Sequence, residues 1–207
     1  MLAGGFPLDG LLLLFYIDGE LTVPSLYSGA AILACAAAAL ACAARERHDP
    51  EARRGWRSVA ALTAYVAIDE VFALHERTVE PLRRALDITQ GPLHHTWVLI
   101  AVPVLAIALF ALRGFILRLP PRTRRGVLAS GAVFLLGAVG CEMLAADMMT
   151  RFASAQWSLD PRLIALQTLE EGLEMVGIAL FLHALLSHLT RDGSELDVRL
   201  RVISRDR

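Results

Sequence analysis

The sequence predicts an all-α integral membrane protein, a polytopic bundle of about five transmembrane helices. Hydrophobic residues make up 56% of the 207 residues, and the mean hydropathy of +0.52 exceeds that of an ordinary soluble domain. Apolar stretches long enough to cross a membrane as helices recur along the chain. All the basic residues are arginines, and they concentrate in alternate connections between these stretches. These three observations favour a multi-pass helical protein over a soluble domain.

Five stretches meet the length requirement for a transmembrane helix, about 20 mostly apolar residues. Each is bounded by arginine, proline or glycine. Acidic residues interrupt the second stretch, and the third contains Pro103, which predicts a kink. The predicted spans are 25–44, 58–76, 96–112, 126–149 and 163–189.

The chain divides into an N-terminal segment (1–24), the transmembrane bundle (25–189) and a C-terminal tail (190–207). The N-terminal segment has an apolar run at 11–17 that is too short to span a membrane, and no basic residue precedes it, unlike in a signal peptide. We therefore expect this segment to lie at the outer interface or to form a re-entrant piece. The tail is short and charged, which indicates a solvated cytoplasmic segment.

The distribution of arginine predicts the orientation of the bundle. Five arginines lie in each of the regions 45–57 and 113–125, which connect the first span to the second and the third to the fourth, and five more lie in 191–207. The other connections hold fewer arginines, and the N-terminal segment holds none. Because cytoplasmic loops carry the excess of basic residues, we predict an outer N-terminus and a cytoplasmic C-terminus in a bacterial inner membrane.

Ionisable residues within the predicted spans are the main indication of function. Each costs about 2.5–3.5 kcal/mol at a helix centre on insertion scales, so such residues are rare and normally face protein or water. With the predicted orientation and a rise of about 1.5 Å per residue, every carboxylate within the spans falls in the outer half of the bilayer. Asp69 and Glu76, seven residues apart, share one face of an ideal helix. At the same level lie Glu142, His94, His95 and one face of the fifth span with Gln167, Glu170, Glu171 and Glu174.

Two acidic motifs carry a resemblance to other proteins. The second span contains DE-x4-HE, formed by Asp69, Glu70, His75 and Glu76, and the fifth contains TLEEGLEMVG. With the upstream string DGELTVPSLYS, these motifs resemble those of a group of uncharacterised bacterial polytopic membrane proteins. The resemblance covers most of the chain in scattered patches. It implies that the acidic stretches belong together, and it implies no particular activity.

A metal site is the function that this set of residues favours. Carboxylates at a common depth lose their mutual repulsion when they bind a divalent cation, and oxygen donors with imidazole suit Fe, Mn or Zn better than Mg or Ca. A metal-dependent enzyme would use a spare carboxylate, Glu170, as general base toward a bound water. Its substrate at that depth would be a lipid or another membrane-embedded molecule. The predicted metal ligands are Asp69, His75, Glu76, His95, Glu142, Glu171 and Glu174.

Other functions stay open at this point. Acidic chains in membrane bundles also serve as proton or cation relays in transport subunits, although the inner half offers little beyond Thr63, His183 and His188. A satisfied polar network in a structural subunit, within an oligomer or a larger complex, is equally compatible with the pattern. A haem held by two histidines is disfavoured by the crowded carboxylates. Nucleic acid is excluded as a partner, because all twenty basic residues are arginines and none is lysine, which argues against a polybasic nucleic-acid tail.

Replacing Arg122 with cysteine tests the predicted orientation. This residue lies in the arginine-rich connection after the third span, so the thiol of Arg122→Cys should face the cytoplasm. We expect a membrane-impermeant maleimide to label it only after the cells are permeabilised. Efficient labelling of intact cells would show that the orientation is the reverse of the predicted one and that the acidic residues lie in the inner half of the bilayer.

Overall fold

The computed structural model describes residues 21–151 and 160–191, and this part of the chain is helical and contains no strand. The predicted all-α class is thereby confirmed. Most of the N-terminal segment and nearly all of the tail lie outside the described residues. The helices are α1 (Val23–Arg45), α2 (Pro50–Phe72), α3 (Val79–Ala85), α4 (Val98–Arg118), α5 (Pro121–Leu135), α6 (Glu142–Arg151) and α7 (Pro161–Leu189).

Capping side chains and early prolines fix where the long helices begin. Thr22 and Ser25 form a capping box at α1, in which each side chain bonds the backbone N–H of the other. Asp49 accepts two backbone N–H groups at the start of α2, and Asp160 accepts one at the start of α7. All three helices also have proline in the first turn, where its fixed φ suits a helix and its missing N–H costs nothing.

Four segments are individually long and apolar enough to cross a membrane. They are α1, α4, α7 and the continuous helical run Pro121–Arg151, in which the π-helical segment Leu136–Cys141 joins α5 to α6. α2 qualifies only when it is combined with the helical stretch Glu76–Ala85, from which it is bent by 71°. The described chain is therefore a multi-pass bundle with four spans, or five with α2.

The second span differs from its predicted bounds of 58–76. α2 begins at Pro50 and ends at Phe72, because Ala73 adopts a left-handed φ of +42° that an α-helix cannot continue through. A 3₁₀ turn, Glu76–Thr78, and α3 follow the break. Predicting an unbroken helix as far as Glu76 was therefore wrong.

The core of the bundle forms where α1 lies between α2 and α7. Cys35 and Cys42 are almost fully buried there, and their thiols approach the carbonyl oxygens of Ile178 and Leu185 at 3.7 and 3.9 Å. All three cysteines are buried and free, so they serve as small core residues. α4, in contrast, exposes large apolar side chains such as Ile107, as expected of a helix that contacts lipid.

The arginine-rich connections meet at one end of the bundle, which we call the Arg-rich end (45–57, 113–125 and 188–191). A guanidinium nitrogen of Arg45 donates to the carbonyl of Leu189, and Arg118 forms an ion pair with Glu51. The first contact joins the end of α1 to the end of α7, and the second joins the end of α4 to the start of α2. Their common location agrees with the predicted topology, and which side of the membrane it faces stays a prediction.

Close helix packing brings the run Pro121–Arg151 against α7. A Cβ added at Gly177 would lie only 2.8 Å from the backbone nitrogen of Phe134. One added at Gly137 would lie 2.7 Å from the carbonyl oxygen of Glu170 and 3.1 Å from Cγ of Glu174. Small residues at such crossings let helix backbones approach in a membrane, where packing rather than water exclusion drives association. The glycines therefore set how near α7 lies to the π-helical segment.

The variant Gly177→Ala should lower the free energy of unfolding by about 1–3 kcal/mol, because the added methyl group meets backbone atoms that cannot rotate away. The matched control is Gly131→Ala, since nothing lies within 4 Å of a Cβ at that position of α5. Alanine is the better helix former, so the free energy of unfolding of the control should rise by about 0.5–1 kcal/mol. Thermal unfolding of both purified variants in detergent measures the difference, and equal stability would contradict the close crossing.

Candidate functional site

Asp69 and His75 form a compact pair at the break after α2. Oδ1 of Asp69 accepts the backbone N–H of His75 at 2.9 Å, and Oδ2 accepts the ring Nδ1–H at 2.7 Å. The hydroxyl of Thr78 donates to the carbonyl of His75 at 2.7 Å and fixes the following turn. An unbroken helix would turn residues six positions apart about 120° away from each other, so this pair depends on the break after Phe72.

His95 and Glu142 form a second pair between distant parts of the chain. Nδ1 of His95 bonds Oε1 of Glu142 at 2.7 Å, and the side chains are 24% and 15% exposed. This bond joins the connection before α4 to the first residue of α6. The same connection is held by Thr96, whose hydroxyl donates to Val79 O at 2.7 Å, and by Gly91, whose N–H donates to the hydroxyl of Thr150 at 3.0 Å.

Both histidines are thus oriented by a carboxylate through Nδ1. A neutral imidazole that donates through Nδ1 carries its lone pair on Nε2, so the pairing selects one tautomer. The His75 ring also lies against Trp97, with ring centroids 4.7 Å apart at an angle of 57°. Ring orientation at His75 is therefore fixed by a hydrogen bond on one side and by aromatic packing on another.

Carboxylates from three helices converge near these pairs. Glu174 of α7 lies within electrostatic range of Glu70 on α2, of Glu142 on α6, and of Glu170 and Glu171 on its own helix. His75 is in turn within electrostatic range of Glu142. The close approach at Gly137 carries the Glu174 side chain toward the π-helical segment that precedes Glu142. We call the set Asp69, Glu70, His75, His95, Glu142, Glu170, Glu171 and Glu174 the carboxylate–histidine cluster.

Some residues named from the sequence lie at its margin or outside it. Glu76 begins the 3₁₀ turn with an exposed side chain, so it does not share a helix face with Asp69, although it lies within electrostatic range of His75. The ring centroid of His94 lies 6.3 Å from that of His95, but its Nε2 bonds elsewhere, 2.6 Å from a guanidinium nitrogen of Arg83. Partial burial, together with the positive charge of Arg83, lowers the pKa of His94 below its usual value.

The structure adds Glu70 and Trp97 to the site. An ideal helix turns Glu70 about 100° away from Asp69, so helical spacing does not predict that both belong to one site. Glu70 lies within electrostatic range of both His75 and Asp69. The available signal was adjacency, since Glu70 follows Asp69 directly and Trp97 stands two positions after His95.

The cluster consists of pairs rather than a preformed coordination shell. Among residues 21–151 and 160–191, no three histidine, cysteine, aspartate or glutamate side chains converge closely enough to hold a metal ion as they stand. Coordination would therefore require side chains to turn within the cluster. Without a metal, the arrangement already orients two imidazoles and brings several carboxylates close together.

Residues 2–189 match the model of a protein family described as Domain of unknown function (DUF8692). The match extends over the whole bundle and includes every residue of the carboxylate–histidine cluster. No curated protein and no solved structure matches the chain.

A double-mutant cycle on His95 and Glu142 measures how strongly this bond joins its two segments. We expect His95→Ala and Glu142→Ala to couple by about 1–2 kcal/mol in thermal unfolding, because the bond is charge-assisted and largely removed from solvent. Arg151→Ala with Asp147→Ala is the control cycle, since that pair lies within one helix and its arginine is 68% exposed. Its coupling should stay below about 0.5 kcal/mol, and additive losses for His95 and Glu142 would show that the bond contributes nothing.

Proposed function

The chain belongs to the DUF8692 family, and we propose that it is a membrane protein that binds a divalent cation at the carboxylate–histidine cluster. The observation that carries the proposal is the pair of histidines that are each held through Nδ1 by a carboxylate. Metal-binding histidines commonly donate their other ring nitrogen to a carboxylate, which fixes the ring and raises its basicity. Two such arrangements beside further acidic groups favour a metal over a purely structural network.

In this proposal the predicted ligands have two roles. His75 and His95 would bind the ion through Nε2, with Asp69 and Glu142 behind them as orienting carboxylates. Glu174 and Glu171 on α7 would supply oxygen donors. Mixed nitrogen and oxygen donors suit Zn, Fe or Mn. A bound cation would also remove the mutual repulsion among the carboxylates around Glu174.

An enzymatic activity follows as the finer part of the proposal. A bound metal activates water or polarises a carbonyl or phosphoryl oxygen. Glu170 would then act as general base toward the bound water, because it lies near Glu174 on α7. A substrate reaching this depth would be a lipid or another membrane-embedded molecule, and from the arginine distribution we propose that the site faces the outside of a bacterial inner membrane.

A proton relay is the second candidate, and one observation favours it. Glu174 is surrounded by carboxylates from α2, α6 and α7, and such groups share protons when no cation separates them. Proton flux into liposomes that contain the metal-free protein would support this function. If the liposomes show no proton flux and the purified protein contains bound metal, the result would support the first proposal.

Metal analysis of three purified variants tests the metal proposal. Wild-type protein should retain a stoichiometric transition metal, whereas His95→Gln and Glu174→Gln should each lose most of it, because each removes one donor. Glu80→Gln is the control, since Glu80 lies outside the cluster and forms ion pairs with Arg83 and Arg84. It should keep the wild-type metal content.

Chelation provides the thermodynamic counterpart of this experiment. A ligand that binds only the native state stabilises it by RT ln(1 + [L]/Kd), so a chelator should lower the Tm of wild type and of Glu80→Gln. The two metal-deficient variants should be insensitive to the chelator. Wild-type protein that contains no metal, takes none up and keeps its Tm would refute a metal site.

A further inference from the structure

A polar cavity lies at the Arg-rich end, remote from the carboxylate–histidine cluster. Its volume is about 360 Å³, within the range of small-molecule sites. The end of α1, the start of α2, the junction of α4 with α5 and the end of α7 all contribute to its walls. Its lining includes Arg45, Trp56, Phe115, Arg118, His188 and Arg191.

The lining carries more positive than negative charge. Three arginines line the cavity, against the two acids Glu46 and Asp49. The carboxylate of Asp49 already accepts two backbone N–H groups at the start of α2, and Glu46 lies 3.9 Å from Nε2 of His188. Outside the lining, Glu51 forms an ion pair with Arg118. Because a guanidinium group has five N–H donors, an arginine that already has a partner still keeps donors for a bound anion.

Trp56 supplies an independent indication of a ligand. It lines the cavity and is only 1% exposed, and its indole Nε1 has no hydrogen-bond partner within the described chain. Its ring is fixed by edge-on packing against Phe115, at 5.1 Å and 81°, and by contact with His188 at 5.0 Å. Buried N–H groups are almost always hydrogen-bonded in folded proteins. The indole N–H of Trp56 therefore indicates that a ligand supplies the acceptor.

We propose that this cavity binds a phosphate group, as the headgroup of an anionic lipid or as a small soluble phosphate. Arginine guanidinium groups bind phosphate oxygens through paired, charge-assisted hydrogen bonds, and a phosphate oxygen reaching the wall beside Trp56 gives the indole N–H its acceptor. Phe115, Leu119 and Pro120 provide an apolar wall on which the rest of an amphiphile packs. Basic pockets between helices on the cytoplasmic side are typical headgroup sites.

Ligand-dependent thermal stability of the full chain tests this proposal. Delipidated protein in a neutral detergent is titrated with phosphatidylglycerol, with phosphatidylcholine, and with inorganic phosphate against chloride at equal ionic strength. We expect phosphatidylglycerol to raise Tm saturably and phosphatidylcholine to have little effect. A matching response to inorganic phosphate identifies a soluble ligand as sufficient, and a response to phosphatidylglycerol alone identifies a lipid headgroup. No saturable response to either anion overturns the proposal.

Variants distinguish anion binding in the cavity from a general attraction of anions to the arginines of the protein. Arg118→Gln removes one guanidinium of the lining, and Trp56→Phe removes the indole N–H while keeping an aromatic ring. Each should weaken the apparent affinity about tenfold, as expected for the loss of one charge-assisted or buried hydrogen bond. The matched control is Arg113→Gln, on the same helix as Arg118, because Arg113 lies over the ring of Phe110 and outside the cavity. Equal weakening by the control, or wild-type affinity in both test variants, overturns the site.

Discussion

Charged side chains at membrane depth must find partners inside the protein, because the hydrocarbon supplies no water to solvate them. This requirement accounts for the arrangement of the helices at the acidic end of the bundle. Glu174 and its neighbours on α7 face Glu70 of α2 and Glu142 of α6 rather than lipid. The close crossings at Gly137 and Gly177 keep α7 near the run that carries Glu142. The close packing at the glycines thus also brings the carboxylates of α7 near Glu142.

The two histidine pairs occur beside interruptions of regular helix. Asp69 and His75 meet because α2 stops at Phe72 and the chain bends by 71° before the next helical stretch. Glu142, the partner of His95, follows directly on the π-helical segment Leu136–Cys141. Such π-helical turns occur frequently at functional sites, since they redirect a side chain without ending the helix. Both breaks bring a side chain to a position that a continuous helix would not offer.

The two ends of the bundle differ in chemistry. One end combines carboxylates with oriented imidazoles, which are donors for a cation. The other combines arginines with a buried indole N–H, which are donors for an anion. The core between them, built on α1 with Cys35 and Cys42, is apolar and closely packed. The two proposed sites are therefore separate, one for a cation and one for an anion.

The sequence by itself determined the helical class and most of the spans. These properties depend on local hydropathy and on the length of apolar helix that a membrane requires, both of which can be read along the chain. Tertiary structure decided the pairings: that Asp69 binds His75, that Glu142 binds His95, and that His94 lies with Arg83 instead. It also decided that α2 ends at Phe72, which removed Glu76 from the face of Asp69. The physical reason is that a pairing depends on where a helix breaks and on which distant residue packs beside it, and helical periodicity specifies neither.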